Sequence, residues 1–275
     1  MVMRKIMFTV VLFVVSNAIA QKYTYVDRAK YKFTYQYSFN EERNNPNSKV
    51  IQDMVLFVGD KSSMFCNEDR MFIDSLLKLY ENQPTQVAFG KIFPQLMGSK
   101  NSNSLTKYYV FKNLPEFGLT TYCQEDMNAS YYKIVEDINL SWNICSDADS
   151  VINGYKCKKA TTHYAGRDYI AWFTLDIPIS DGPYKFSGLP GLIVSIHDTK
   201  NEHSFSLIAA TNSKKDIYFK QVNYIETDLK GFIKSFEASK SSFINLLESA
   251  TYSDESVKYR AIMRVQQCNN FVELF

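Results

Sequence analysis

Residues 30–40 alternate aromatic and polar side chains in the sequence KYKFTYQYSFN. This two-residue period predicts a β-strand with one buried face, because successive side chains of a strand point to opposite sides of its sheet. The chain carries 19 Tyr and 20 Phe but only 2 Trp. Tyr and Phe favour the half-buried surface of a sheet, so strands are expected to dominate the fold.

Further strands are predicted where short apolar and aromatic runs lie between turn signals. Their ranges are 50–58, 63–66, 107–112, 120–125, 155–164, 168–176, 191–197, 203–211 and 217–225. Helical periodicity appears at 67–81 and 226–249, whereas residues 253–275 show no decisive pattern. We expect the α+β class, dominated by β: a large curved antiparallel sheet, similar to half of a barrel, with one or two helices packed on it.

The N-terminus, residues 1–20, has the pattern of a secretory signal peptide. Basic residues precede an apolar run at 6–15, and a small-x-small cleavage site ends at Ala20. Ten apolar residues are too few for a membrane anchor, since the hydrocarbon core is about 30 Å thick and a helix rises about 1.5 Å per residue. No repeat or linker divides the remaining sequence, so residues 21–275 are expected to form one exported domain without a transmembrane anchor.

The charge of the chain is nearly balanced, with 31 basic and 29 acidic residues. This balance does not predict nucleic acid as a partner. The sequence contains no Rossmann fingerprint, Walker loop, H-E-x-x-H or G-x-S-x-G motif. It therefore predicts no cofactor, and it excludes the well-marked enzyme classes while leaving other enzymes open.

Five cysteines, an odd number, are distributed along the chain. Disulfides are the default in the oxidising compartments that an exported protein meets. The segment between Cys145 and Cys157 resembles a hairpin turn that would set these two residues opposite each other. Cys66 and Cys123 are the candidates for a second disulfide, which would leave Cys268 as a free thiol.

A compact motif, PYKFSGLPGLIVSIHD, occupies residues 183–198. Its glycines permit positive φ angles, and its prolines fix theirs, so we expect a tight crossover between two neighbouring strands. Two roles remain open: a pinned structural loop that closes the end of the sheet, or a binding lip at the mouth of a cavity. The candidate loop residues are Gly182, Pro183, Gly188, Leu189, Pro190, Gly191, Leu192 and Ile193.

The unbroken hexapeptide at 188–193 and its surroundings resemble the GLPGLI family of exported bacterial proteins, which is best represented in the Bacteroidetes. The flanking matches are Gly154-Tyr155, Cys157, Lys159-Ala160, Gly166-Arg167, Ala171-Trp172, Ile177-Pro178 and Gly182-Pro183. The resemblance implies export to the periplasm, the outer envelope or the medium of a Gram-negative bacterium. It implies no particular activity, because the family has no settled biochemical function.

A polar fringe surrounds the motif and could supply acids, bases or substrate ligands. The alternative is that these residues form salt bridges or solvated loops. His197 and His203 could face each other across a predicted hairpin, but a catalytic zinc usually needs a third protein ligand and none stands out, so no metal site is predicted. The fringe consists of Arg167, Asp176, Asp181, Lys185 and Asp198.

Two functions fit these observations. The first is a non-enzymatic binding or accessory protein for an apolar ligand or for an outer-membrane or periplasmic partner, with the motif at the rim of a cavity. The second is a hydrolase-type enzyme that uses the polar fringe. An open apolar cavity would favour the first, and titratable side chains that converge in one pocket would favour the second.

Overall fold

The computed structural model describes most of the chain after the N-terminus. The predicted signal peptide and Cys268 lie outside the described residues. The described residues are 22–80, 83, 87, 90–92, 94–95, 106–126, 128–251, 254–267 and 269–273.

Strands dominate the described part of the chain, which confirms the predicted fold class. The longer helices are α1 (Glu68–Leu79), α2 (Leu229–Ser249) and α3 (Glu255–Gln267). The strands are β1 (Lys22–Arg28), β2 (Tyr31–Asn40), β3 (Lys49–Val58), β4 (Ser63–Asn67), β5 (Tyr108–Lys112), β6 (Leu119–Glu125), β7 (Tyr131–Asp137), β8 (Asn143–Ile152), β9 (Tyr155–Tyr164), β10 (Arg167–Thr174), β11 (Leu192–Asp198), β12 (His203–Asn212), β13 (Asp216–Gln221) and β14 (Tyr224–Glu226).

One sheet contains twelve strands in the order β14-β7-β6-β5-β4-β3-β2-β12-β11-β10-β9-β8, and β1 pairs with β13 in a separate sheet. All pairs are antiparallel except the edge pair of β14 and β7, which is parallel. Most neighbours in the sheet follow each other in sequence, as expected from the run of short strands. Two pairs of neighbours do not follow each other in sequence: β2 lies beside β12, and β14 lies beside β7.

Two-residue turns set the register around β9. Asn153 and Gly154 have φ angles of 50° and 87°, and Ala165 and Gly166 have φ angles of 45° and 77°. Turns with two positive φ angles match the twist of antiparallel strands, and Asn-Gly is their preferred sequence. The second turn brings Arg167 opposite Tyr164 at the start of β10.

The largest core covers one face of the twelve-stranded sheet, here called the inner face. The predicted alternation on β2 places Phe33, Tyr35 and Tyr37 in this core, each at most 2% exposed. Helix α2 packs over the inner face through Phe232 and Phe236. A helix laid over aromatic side chains of a sheet is an arrangement that can leave space between the two layers.

The opposite, outer face carries a second core. Val55, Phe57 and Phe111 pack there with Ile217 of β13, so the two-stranded sheet covers part of this face. Tyr23 of β1 and Asp74 of α1 join the same layer, because the Tyr23 hydroxyl donates to the Asp74 carbonyl at 3.4 Å. Among the described residues, no helix has both the length and the apolar composition that crossing a membrane requires.

Candidate functional site

The motif segment connects β10 to β11, as the sequence predicts, and most of it packs inside the protein. Tyr184, Phe186 and Leu189 are each at most 3% exposed. The Ile193 amide donates to the Asp181 carbonyl at 3.0 Å, and the Tyr35 hydroxyl donates to the Ile193 carbonyl at 2.7 Å. These contacts favour the interpretation of the segment as a pinned structural loop.

The glycines of the motif serve two different purposes. Gly188 has a φ angle of +93°, as predicted, and its surroundings would leave room for a Cβ atom. Gly191 does not use the positive φ angle that glycine permits. A Cβ atom there would lie 2.0 Å from the carbonyl oxygen of Thr174, so glycine is required by close approach of the backbone. At Gly182 a Cβ atom would lie 2.8 Å from Ile193 Cδ1.

Arg167 and Asp198 of the polar fringe belong to a buried ion-pair cluster. Arg167 Nη1 lies 2.7 Å from Asp198 Oδ2 and 2.7 Å from Glu202 Oε2, and all three side chains are at most 4% exposed. Burial tends to raise the pKa of Glu202, but hydrogen bonds from Arg167 and from the Asn44 amide outweigh burial and lower it. The cluster therefore holds fixed charges that stabilise the fold.

Asp181 and Lys185 are held in two other buried clusters. The Lys112 ammonium contacts the Asp181 carboxylate and the carbonyls of Gly182 and Phe186. Lys185 Nζ lies 2.5 Å from Glu136 Oε2 and 2.8 Å from Glu273 Oε1, and its side chain is 0% exposed. Burial lowers the pKa of Lys112, while the Asp181 carboxylate opposes this effect.

Asp176, the remaining residue of the polar fringe, is exposed. The other four residues are divided among three separate clusters in which every charge has a partner. This arrangement does not bring the fringe together in one pocket, as acid–base catalysis would require. It favours the alternative interpretation, in which Arg167, Asp181, Lys185 and Asp198 hold loops.

The C-terminal segment, residues 269–273, is fastened to the strands by these clusters. Arg167 Nη2 donates to Asn270 Oδ1 at 2.6 Å and to the Phe271 carbonyl at 2.9 Å. The Tyr169 hydroxyl donates to the Val272 carbonyl at 2.9 Å. The sequence pattern indicates no role for this segment, because its hydrogen-bond partners lie about 100 positions earlier in the chain.

A cavity of about 340 Å³, here called the inner cavity, lies between the inner face, helix α2 and the C-terminal segment. The sheet contributes Tyr37, Phe39, Tyr108 and Tyr122 to its lining. Helix α2 contributes Leu229, Phe232, Ile233 and Phe236, and the C-terminal segment contributes Phe271, Val272 and Glu273. Aromatic and aliphatic surface with a few polar groups is the composition of small-molecule sites.

Two buried polar atoms of the lining have no hydrogen-bond partner among the described residues: the Tyr108 hydroxyl and Glu273 Oε2. Burial raises the pKa of Tyr108, so its hydroxyl is a neutral donor. The other carboxylate oxygen, Glu273 Oε1, accepts from Tyr164 at 2.9 Å and from Tyr184 at 2.8 Å. Buried polar groups are normally paired, so these two atoms have unused hydrogen-bonding capacity.

The predicted loop and the inner cavity overlap at one place. Within the described lining, Tyr184 is the loop's contribution, while residues 188–193 are absent from it. Leu189 and Leu192 are buried in the core of the sheet, and Pro190 is exposed. The hexapeptide therefore lies outside the described lining of the cavity.

A smaller pocket of about 70 Å³ opens on the outer face between α1, β6 and the two-stranded sheet. Several of its charged and polar residues pair with one another. Arg70 Nη2 lies 2.6 Å from Glu125 Oε2, and the Tyr109 hydroxyl donates to Asp74 Oδ2 at 2.6 Å. Burial tends to raise the pKa of Asp74, but Arg70 and Lys220 outweigh burial and lower it.

Both predicted disulfides are absent, because the four described cysteines are free. The Asn-Gly turn pairs Cys157 with Ser150, and a register shift follows in β8, so Cys145 does not lie opposite Cys157. Cys66 and Cys123 both face Tyr109, from the strands on either side of it. Two strand spacings separate them by about 9.6 Å, beyond the span of a disulfide.

The predicted histidine pair is also wrong. His197 lies opposite Ser204, so His203 points to the other face of the sheet. His203 Nδ1 lies 2.7 Å from the Tyr37 hydroxyl in the inner core, where burial lowers the pKa of the imidazole to about 3. In the part of the chain that the structure describes, no cluster of three His, Cys, Asp or Glu residues could hold a metal ion.

A family model described as "Protein of unknown function (Porph_ging)" matches residues 165–195, which include β10, the loop and the start of β11. This is a Porphyromonas/Bacteroidetes family, and the match covers a short stretch of the chain. The predicted GLPGLI assignment is not confirmed under that name. No curated protein matches the chain.

Among solved structures, two of PNGF-II are similar to this chain. The structure in space group P21 is 16% identical, covers 77% of this chain and 34% of its own, and has a TM-score of 0.50. The structure in space group C2 is 14% identical, covers 77% and 33%, and has the same TM-score of 0.50. At this identity the similarity concerns the fold alone, and this chain spans about a third of the PNGF-II chains.

Proposed function

We propose that this protein is an exported, non-enzymatic binding protein that holds a small apolar molecule in the inner cavity. The observation that carries the proposal is the cavity itself, with about 340 Å³ of space between the aromatic inner face and helix α2. Pockets for small molecules typically have volumes of about 300–1,000 Å³ and mostly apolar linings. The ligand would bury its apolar body against aromatic rings of the sheet and the helix.

The inner cavity has structural support on each side. Tyr122 and Tyr132 of the sheet contact the Phe232 ring of α2, with centroids 6.1 Å and 5.3 Å apart. Phe236 of α2 contacts Phe271 of the C-terminal segment at 5.3 Å. Edge-to-face ring contacts of this kind hold the walls in place, so the space would be available to a ligand without rearrangement of the core.

The hydrolase-type alternative lacks comparable support. Its candidate acids and bases, Asp181, Lys185 and Asp198, are occupied by buried ion pairs, and Asp176 is exposed. A catalytic carboxylate would have to leave its partner before it could exchange a proton with a substrate. The binding hypothesis needs no such rearrangement.

Export is proposed from the N-terminal pattern and is tested separately from binding. The protein isolated from the envelope fraction of its own cells is expected to begin at Gln21, as the cleavage site after Ala20 predicts. An N-terminus that still starts at Met1 would contradict cleavage of a signal peptide.

Binding is tested with the neutral fluorescent probe N-phenyl-1-naphthylamine and the mature chain. Ile233 lines the cavity from α2, so Ile233→Trp would fill part of it. Ala238 is exposed on the same helix, so Ala238→Trp is the matched control. We expect saturable fluorescence with the parent and with Ala238→Trp, and affinity at least about tenfold lower with Ile233→Trp.

Circular dichroism of both variants checks that the fold is retained. The proposal would be contradicted if the parent gave no saturable signal. It would also be contradicted if a folded Ile233→Trp variant bound the probe as tightly as the parent.

A further inference from the structure

The two oxygens of the Glu273 carboxylate, at the wall of the inner cavity, differ in their hydrogen-bond partners. Its Oε1 atom lies within 2.9 Å of three donors, the hydroxyls of Tyr164 and Tyr184 and the ammonium of Lys185. Its Oε2 atom has no partner among the described residues, although the residue is only 2% exposed. A carboxylate oxygen accepts hydrogen bonds and donates none, so a ligand that completes this site must bring an N–H or O–H donor.

The charges around Glu273 do not balance. Lys185 is shared between Glu273 and Glu136, so two carboxylates meet one ammonium at this end of the cavity. Glu273 and Lys185 are shielded from water, with side chains 2% and 0% exposed, whereas the Glu136 side chain is 27% exposed. An uncompensated negative charge in such surroundings is unfavourable, and a further cation would relieve it.

The cluster around Arg167 has the same ratio of charges, but its unpartnered atom among the described residues is a donor, Arg167 Nε, and its carboxylate oxygens are all used. Asp198 Oδ1 accepts from two backbone amides, those of Glu202 and His203. Glu202 Oε1 accepts from the Asn44 amide at 2.7 Å. Both carboxylates there use both oxygens, so of these two clusters the one that lines the cavity has the open carboxylate oxygen.

Aromatic rings at the same end of the cavity suit a cation. Lys185 Nζ already lies 5.0 Å from the centre of the Tyr122 ring and 5.7 Å from that of Tyr184. Tyr108, whose hydroxyl has no hydrogen-bond partner among the described residues, stacks with Tyr122 at 5.6 Å and meets Tyr184 edge-on at 5.5 Å. Ring faces attract cations, and phenolic oxygens can accept hydrogen bonds from an ammonium group.

We propose that the ligand of the inner cavity is an apolar amine, whose protonated nitrogen donates to Glu273 Oε2 while its hydrocarbon body lies against the aromatic lining. The inference rests on the proposed binding function. An alcohol could donate to Glu273 but would leave the charge uncompensated. A fatty acid would place a second carboxylate beside Glu273, which like-charge repulsion and the missing donor both disfavour.

The test compares three ligands that share one hydrocarbon chain: decylamine, decan-1-ol and decanoate. Each is titrated against the mature protein at pH 7 in competition with N-phenyl-1-naphthylamine. We expect decylamine to bind at least about tenfold more tightly than decan-1-ol, and decanoate to bind most weakly, because charge-assisted hydrogen bonds are about twice as strong as neutral ones.

Three variants distinguish the hydrogen bond to Glu273 from the general effect of negative charge near the cavity. Glu273→Gln is expected to remove the preference for decylamine over decan-1-ol. Glu136→Gln removes the other carboxylate that contacts Lys185. Glu136 is not part of the described lining of the cavity, so the preference should fall less. Asp176→Asn, at an exposed carboxylate outside that lining, should leave it unchanged.

The outcomes distinguish this proposal from the one before it. If none of the three ligands displaces the probe and the probe itself does not bind, the binding function fails. If the probe binds but decan-1-ol or decanoate competes as well as decylamine, the amine assignment alone is overturned. The comparison of ligands on the parent protein decides this even if Glu273→Gln does not fold.

Discussion

Replacing Arg167 by methionine removes the one cation from a buried cluster and leaves Asp198 and Glu202 facing each other. Both carboxylates lie 2.7 Å from the same guanidinium nitrogen, and neither side chain is more than 4% exposed. Removing one partner of a buried ion pair typically lowers the free energy of unfolding by about 3–5 kcal/mol. For a domain of this size that loss lowers Tm by roughly 6–20 °C.

The assay is urea unfolding followed by far-UV circular dichroism, with a matched surface control. Lys158→Met breaks a pair with Asp149 that spans 3.9 Å between exposed side chains, and it should change stability by less than about 0.5 kcal/mol. The triple variant Arg167→Met, Asp198→Asn, Glu202→Gln should recover more than half of the loss, because it leaves no buried charge in the cluster.

Hydrogen exchange adds a local measurement of the same variant. Arg167 donates to Asn270 and Phe271, so amides of residues 269–273 should exchange faster in Arg167→Met than global unfolding allows. A loss below about 1 kcal/mol, or a triple variant no more stable than the single one, would refute the assignment of Arg167 as the clamp of the C-terminal segment.

Three further predictions concern titration, backbone space and thiols. Burial lowers the pKa of His203 to about 3, so this imidazole stays neutral in the folded protein while it takes up a proton below pH 6.5 in the unfolded chain. Urea unfolding should therefore show a loss of about 2 kcal/mol of stability between pH 7 and pH 5. The His203→Gln variant should lose less stability over the same pH range. Gly188→Ala should lower the free energy of unfolding by about 1–2 kcal/mol, because the residue has a positive φ angle. Gly191→Ala should lower Tm further, because its Cβ atom would lie 2.0 Å from a backbone oxygen. Equal melting curves for the two variants would contradict this. Burial raises the pKa of the Cys66 thiol, and it raises that of Cys123 to about 12, so neither should react with iodoacetamide at pH 8 before denaturation; peptide mass spectrometry that found them joined would contradict the geometry.

Local periodicity was sufficient to predict most of the fold. The range 155–164 was predicted as observed, and β2 differs from its predicted range by one residue. In β2 the side chains alternate between buried and more exposed, so each side chain indicates which face of the sheet it lies on. The Asn153-Gly154 turn carries an equally local signal.

One strand that lacks this alternation, β8, was not predicted. The segment SDADSV of β8 is polar because β8 is an edge strand with one neighbour, and it resembles a turn in sequence. The disulfide between Cys145 and Cys157 was inferred from that turn, so one missed strand produced the second error. Helix α3 falls in a range whose sequence pattern was ambiguous.

The inner cavity could not be predicted from sequence. Its lining joins Tyr37, Tyr108, Tyr122 and Glu273, which are far apart in the chain and carry no shared motif. The abundance of Tyr and Phe indicated an apolar interior, but it did not indicate where in the fold a cavity would lie. The hexapeptide had the strongest local signal, and that signal reflects the positive φ angle at Gly188 and the close backbone approach at Gly191.

Native mass spectrometry of the mature protein, purified from its own envelope fraction without detergent, tests the binding function most directly. We expect the folded protein to carry an apolar adduct that solvent extraction removes, and the adduct to be missing from a folded Ile233→Trp variant. A folded parent protein with the mass of the bare chain would contradict the proposal that the inner cavity holds a small apolar molecule.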